Sequence, residues 1–459
     1  MSQAENKMGA MPVGRLLFSM SLPMMISMLV QALYNIVDSI FVAQIAENAL
    51  TALSLAFPVQ NMMISVAVGL GVGINAFLSK SLGEKNSADV NKSATNGLAL
   101  IWAGCAVFAL AGFLLTDAFY RLQTDIEEIA VYGRDYLSIV CIFSVGLFCQ
   151  IAFERLLTST GRTFLAMITQ SVGAIANIIL DPIMIFGLFG FPALGVKGAA
   201  IATVISQILA SALALYFNLR FNREISLSFR GFRPDGRAIR IIFSVGLPAI
   251  LMMSIGSIMI YGLNRIIISF TATAVAVFGV YFRLQSFIFM PVFGLTNALV
   301  PILAYNYGAR QKDRIVRTIR LSMICSVSIM TAGFIIFELF PDKLLMMFNA
   351  TDAMLDVGIT ALRVISVSFL GAGFCVVAGS VFQAFGQGVE SLIISVARQL
   401  IVLLPAAWLL SFSGSLDAVW WSFPIAEIVT VALSVYFMRR LYYQKIKDLS
   451  RPDQAKTRK

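Results

Sequence analysis

Long apolar runs separated by short polar connections fill the chain from end to end. They are read at 15–41, 50–79, 93–116, 131–156, 163–188, 194–219, 241–268, 273–305, 317–339, 357–382, 388–411 and 417–438. A membrane-crossing helix needs about 20 mostly apolar residues. Every one of the twelve runs reaches that length, and the longer ones predict tilt or kinks. The pattern predicts an all-α integral membrane protein. Composition agrees: 59% of the 459 residues are hydrophobic and only 13% charged, against about 25% charged in a soluble protein. The first 14 residues are polar and lack the layout of a secretory leader.

Charge sets the expected orientation. An even number of spans puts both termini on one side, and that side holds most of the 34 Lys and Arg residues. They include Lys80, Lys85 and Lys92, six arginines from Arg220 to Arg240, the group Arg310, Lys312, Arg314, Arg317 and Arg320, and the basic tail from Arg439. The opposite side has Arg121, Arg134, Lys197, Arg265, Lys343 and Arg363. The positive-inside rule therefore predicts cytoplasmic termini in the cell membrane. The formal net charge of +10 reads as topology, so no nucleic-acid partner is expected.

The chain also repeats itself at one offset. Adding 225 carries Phe18, Ser19, Leu22 and Pro23 onto Phe243, Ser244, Leu247 and Pro248; Gln60 onto Gln285; Gly69-Leu70 onto Gly294-Leu295; Gly83 onto Gly308; and Gly161 onto Gly386. Matches of Pro, Gln and Gly at a single offset are far less expected by chance than matches of Leu or Ile. The predicted organisation is an N-lobe at 1–219, a basic cytoplasmic linker at 220–240, a C-lobe at 241–440 and a basic tail at 441–459. Two parallel six-helix repeats imply a pseudo-twofold axis along the membrane normal, a central cleft and alternating access, as in secondary transporters.

The absence of histidine excludes His-dependent triads, HExxH zinc sites and His-ligated haem. The five cysteines lie in apolar stretches without a CxxC pair, as packing residues do. No cofactor is expected. An ionisable group inside a span is costly and so a functional candidate. Glu154, beside Arg155, reads as an interfacial ion pair, and Glu338 as a solvated edge. Asp38 and Asp181 differ. Asp38 follows Gln31, Tyr34 and Asn35; Asp181 follows Asn177 by four residues, which puts both on one helix face. Asp181 is 19 residues beyond cytoplasmic Arg162. Thr203 enters from the outer side six residues after Lys197, about 9 Å deep. Two carboxylates, an amide oxygen and a hydroxyl at similar depth suit a hard cation such as Na⁺, or a proton that is held and released. A structural hydrogen-bond network is the other reading. The second repeat lacks these groups: Leu263, Val402 and Ala406 stand at the positions of Asp38, Asn177 and Asp181.

Further candidates for a substrate cleft or polar network are Gln31, Tyr34, Asn35, Gln60, Arg283, Gln285 and Glu427. Glu427 is open to two readings, contact with a cationic substrate or a pair with Arg398. Arg283 and Arg398 are the arginines read as buried. Pro23, inside the first span, is a candidate hinge, with a static kink as the alternative; Pro248 reads as a packing kink.

Four stretches carry a family resemblance: LPMMISMLVQALYNIVDSIFV at 22–42, GRTFLAMITQSVGAIANIILDPIMIFG at 161–187, GVKGAAIATVISQ at 195–207 and AVFGVYFRLQSFIFMPVFGLTNALVPILAYNYGAR at 276–310. With them the chain resembles the multidrug and toxic compound extrusion (MATE) transporters over about 10–440. The resemblance implies two six-helix lobes around a V-shaped cleft and export of organic, often cationic, drugs driven by Na⁺ or H⁺ re-entry. In the branch with an N-lobe cation site, the family's roles fall on Asp38, Asn177, Asp181 and Thr203. Another branch places acids on the seventh and tenth helices, where 241–268 and 357–382 have none. The expected partners are small-molecule drugs and membrane lipid, and nothing demands more than a monomer. The alternative is a flippase for a lipid-linked precursor or polysaccharide intermediate, although lipid-linked precursor flippases usually have fourteen spans and a strongly cationic cleft. An intramembrane aspartyl protease lacks support from any such motif, and a channel lacks a repeated filter loop.

Overall fold

The computed structural model describes residues 6–230, 232–348 and 350–449; the last ten residues of the expected basic tail lie outside them. It is 86% helical, with no strand among the described residues. Backbone polar groups in hydrocarbon must find partners within the segment, which leaves helices as the way for these runs to cross. Among the described residues ten helices are long and apolar enough to do so, and two bent pairs bring the number to twelve when each pair counts as one span. In order the spans are Val13–Ala43, Glu47–Gly83, Ser87–Arg121, the pair Glu127–Ile142 and Val145–Ser159, then Thr163–Phe186 and Val196–Phe221. The second six are Gly236–Ile267, Ala272–Gly308, Lys312–Leu339, the pair Asp352–Ser366 and Phe369–Ala384, Gly388–Ser411 and Ser422–Leu441. Several hydroxyls inside the spans bond backward to the carbonyl four residues earlier, as Ser65 does to Asn61 and Thr116 to Gly112. This lets a polar side chain sit in an apolar helix without an orphan donor.

The repeat is visible in local geometry. The fourth span bends by 44° and the tenth by 49°. Gly161 and Gly386, one offset apart, hold φ of 87° and 74°, which only glycine adopts without cost. The turn each forms closes with the same bond: Arg162 N to Leu157 O and Gln387 N to Phe382 O, both 2.8 Å. Lys85 and Arg310 likewise share positive φ of 57° and 55°. The repeat breaks in the eleventh span, where Ala397–Leu403 winds as a π-helix while its counterpart in the fifth span stays α-helical.

The chain forms two compact units. One holds Ile26–Gly246; the other holds the described residues up to Met25 together with those from Leu247 onward. The chain passes from unit to unit inside the first and seventh spans, two residues after Pro23 and one before Pro248. The repeated glycines explain how each unit accepts a helix start from the other repeat. A Cβ on Gly294 would lie 2.6 Å from the backbone of Met25, and one on Gly246 would lie 3.0 Å from the Gly69 carbonyl oxygen. Both contacts bring helix backbones together, as small residues permit. Each unit has its own apolar core, around Met63, Ile101, Phe148 and Phe153 in one and Phe278, Tyr281, Phe369 and Trp420 in the other.

The same start segments are strapped at their ends. Asn306 Nδ2 and Arg314 donate to the Met8 carbonyl at 3.1 and 2.8 Å, and Arg314 also to Met11. The linker before the seventh span is held by Asn91, which accepts from Ser226 N, by Asn96, which accepts from Asp235 N, and by the Lys92–Asp235 pair at 2.9 Å. The lysine holds the half-buried Asp235 carboxyl below its ordinary range.

Candidate functional site

The fifth span runs unbroken from Thr163 to Phe186 through Pro182, and Gly187 ends it at a left-handed φ of 74°. The helix pitch stacks Asn177 and Asp181 one turn apart on its buried face. Asn177 Nδ2 donates to Asp181 Oδ1 at 3.3 Å and lies 3.4 Å from Thr203 Oγ1 of the sixth span. All three are buried, Asp181 completely. Asp38 comes from the first span and lies within hydrogen-bonding reach of Asp181. Tyr34, one turn earlier, lies near Asp38, Asp181 and Thr203. Five residues separated in sequence by up to 169 positions therefore meet in one cluster.

The cluster's unfilled valences are all acceptors. Asp38 Oδ1, Asn177 Oδ1 and Asp181 Oδ2 are buried with no hydrogen-bond partner among the described residues. Buried oxygens without donors are costly, and a proton or an oxygen-seeking cation supplies what they lack. The residues present fit such a group.

Around this cluster lies a polar fringe. Gln60 donates to the Tyr136 hydroxyl at 2.9 Å, and Gln170 to Gln31 Oε1 at 3.0 Å. Tyr136, buried beside Asp38 and Tyr34, and Gln170 were not among the sequence candidates. A tyrosine in an apolar span looks like core, and the pattern gives no signal beyond that. Asn35 is exposed, and its carbonyl accepts from Ser39. Pro23 sits in an uninterrupted first span.

Three expectations change or sharpen. Arg283, read as buried, is exposed: the buried stripe of the eighth span runs through Phe278, Tyr281 and Leu284, and Arg283 projects off it. Gln285, next to it, is half-buried. Glu154, expected as an edge ion pair, accepts hydrogen bonds from Gln150 at 3.2 Å and Thr169 at 3.1 Å. Of the two readings of Glu427, the pair with Arg398 is formed: Arg398 Nε lies 3.3 Å from Glu427 Oε2, and Glu427 is buried.

Twelve spans in two repeats, with carboxylates buried among them, define a multi-pass membrane transporter rather than an enzyme. The MatE family model matches residues 23–183 and again 248–409, two copies whose starts stand 225 residues apart. The chain belongs to that family, the multidrug and toxic compound extrusion transporters. It is 26% identical over 434 residues to an "FAD transporter" of Shewanella oneidensis, covering 94% of this chain and 95% of that one. It is 28% identical to "Multidrug export protein MepA" of Staphylococcus haemolyticus, with 92% of each chain covered. A solved "Outward-facing conformation of a multidrug resistance MATE family transporter of the MOP superfamily" superposes with a TM-score of 0.89 at 25% identity, over 96% of this chain and 98% of that one.

Proposed function

We propose that this transporter is a secondary active antiporter that exports organic, often cationic and amphiphilic drugs in exchange for H⁺ or Na⁺. The observation that carries this reading is the trio of donor-less oxygens on Asp38, Asn177 and Asp181. A fully satisfied structural network would leave no such set. The multidrug export protein among its relatives supports the choice of drugs as cargo. Asp38 and Asp181 take the coupling ion, Asn177 and Thr203 orient it, and neutralising the two carboxylates frees the first span to rearrange near Pro23. That rearrangement lowers the drug site's affinity, and discharge of the ion restores it. Where ion and drug each weaken the other's binding, exchange follows from linkage. In this reading the protein works as a monomer with both termini in the cytoplasm.

The test is ethidium movement in proteoliposomes, with a pH gradient and a Na⁺ gradient imposed separately. Accumulation of ethidium against its gradient under one of them names the ion. Failure under both, with folded protein, removes drug antiport and turns attention to the flipping of lipid-linked precursors.

A further inference from the structure

The second repeat carries a charge pair at membrane depth that the coupling scheme leaves unused. Arg398 lies on the π-helical stretch of the eleventh span and Glu427 on the twelfth. These two spans are the repeat counterparts of the fifth and sixth, which carry Asn177, Asp181 and Thr203. So the same pair of helices holds a polar cluster in each unit, with different chemistry. π-helical turns recur at functional sites, and an ion pair at membrane depth needs a reason to be there.

The pair is lopsided. Glu427 is walled in: its side chain is 5% exposed, a Cβ on Gly371 would touch its Cγ at 2.8 Å, and Cys375 lies against it. Among the described residues its Oε1 has no hydrogen-bond partner. The Arg398 side chain keeps 25% of its surface open. Its contact with the carboxylate runs through Nε at 3.3 Å, long beside the 2.7–2.9 Å usual for a charge-assisted bond. Among the described residues its terminal nitrogens donate no hydrogen bond. Its neighbours Tyr281, Cys375 and Glu427 come from the eighth, tenth and twelfth spans, so the guanidinium faces the interior of its unit rather than lipid.

We propose that Arg398 is an anion-binding subsite that takes a carboxylate or phosphate group of a small amphiphilic solute through its two terminal nitrogens. Glu427 keeps the guanidinium in place and tunes its affinity. A cationic ligand is disfavoured here, since reaching Glu427 would require Arg398 to leave. Arg398 stands ten residues beyond Gly388, about 15 Å along the helix, deeper than a lipid headgroup at the interface. As a statement about cargo the subsite rests on the exporter reading; as a binding site it does not.

The experiment is equilibrium binding of fluorescein, an amphiphilic anion, to the purified full-length protein in neutral detergent, read by anisotropy. Without an ion gradient, its failure is distinct from failure of drug antiport. Wild type is expected to bind. Glu427→Gln, which frees the guanidinium, should tighten binding several-fold, a gain that a purely structural pair would not give. The charge-neutral double variant Arg398→Leu/Glu427→Leu should lose about tenfold or more, in line with a lost charged hydrogen bond, while its melting temperature holds. Phosphatidylglycerol added to the micelles should not displace the dye; displacement would assign the site to a lipid headgroup and overturn the solute. Absence of binding in both wild type and Glu427→Gln, or unchanged binding in the double variant, would overturn the subsite.

Discussion

Asn177 spends its amide nitrogen on Asp181, at 3.3 Å, and leaves its own carbonyl oxygen without a donor. The residue thus props one carboxylate while adding a third acceptor to a cluster already rich in them.

If the cluster takes up the coupling ion, removing either negative charge should stop coupling without unfolding the protein. Asp38→Asn and Asp181→Asn are expected to express and melt like wild type and to lose active ethidium efflux by at least about tenfold, because an amide holds the shape but neither carries nor releases the charge. Normal export by one variant would take that residue out of the mechanism.

If Thr203 only orients the ion, Thr203→Val should act on affinity more than on rate. Losing one hydroxyl partner, worth about 1 kcal/mol, should raise the ion concentration for half-maximal efflux roughly fivefold while saturating ion restores most of the rate. A loss that saturating ion does not rescue would point to a broken fold.

Gly294 admits the first span's backbone at Met25. Gly294→Ala forces a methyl group against main chain that has no rotamer to yield, and overpacking of this kind costs about 1–3 kcal/mol. A lowered melting temperature in detergent is expected. At Gly386 nothing lies within 4 Å of an added Cβ, and the penalty there is purely conformational. Gly386→Ala should cost on the order of 1 kcal/mol, and Gly386→Asn less, since Asn visits left-handed backbone more readily. Equal effects of Ala and Asn would contradict that account.

The linker strap should depend on pH in one direction. Lys92 depresses the Asp235 carboxyl, so the stabilisation is present above the unfolded value near 4 and is lost as pH falls through the lower folded value. Hydrogen exchange along 226–230 and 232–238 should stay slow from neutral pH to about 5 and quicken, once corrected for intrinsic rates, below the unfolded value. Asp235→Asn should remove the transition.

The sequence pattern located all twelve spans because hydrocarbon imposes length and apolarity on each. It also joined Asn177 to Asp181, since a spacing of four fixes a helix face. Which side of a span meets a neighbour was harder to read: Arg283 sits among apolar residues yet projects away from the buried stripe through Tyr281 and Leu284. The bends after Ile142 and Ser366 carry neither Gly nor Pro at the break, so nothing in the local pattern marks them. The π-helical turn at Arg398 depends on packing in the assembled unit, which composition does not encode.

The placement of Met8 to Met25 has a consequence for biogenesis. These residues are made before the rest of the first repeat, yet Asn306, Arg314 and the backbone at Gly294 that receive them are made after the whole of it. At about 5–20 residues per second, the leading segment waits on the order of tens of seconds for its packing partners. Residues 236–246, in turn, complete a unit whose other members have already been made. Neither repeat is therefore an autonomous insertion module. Two fragments cut within the linker would each carry a helix start that belongs to the other, and only co-synthesis in one membrane would give both units their missing pieces.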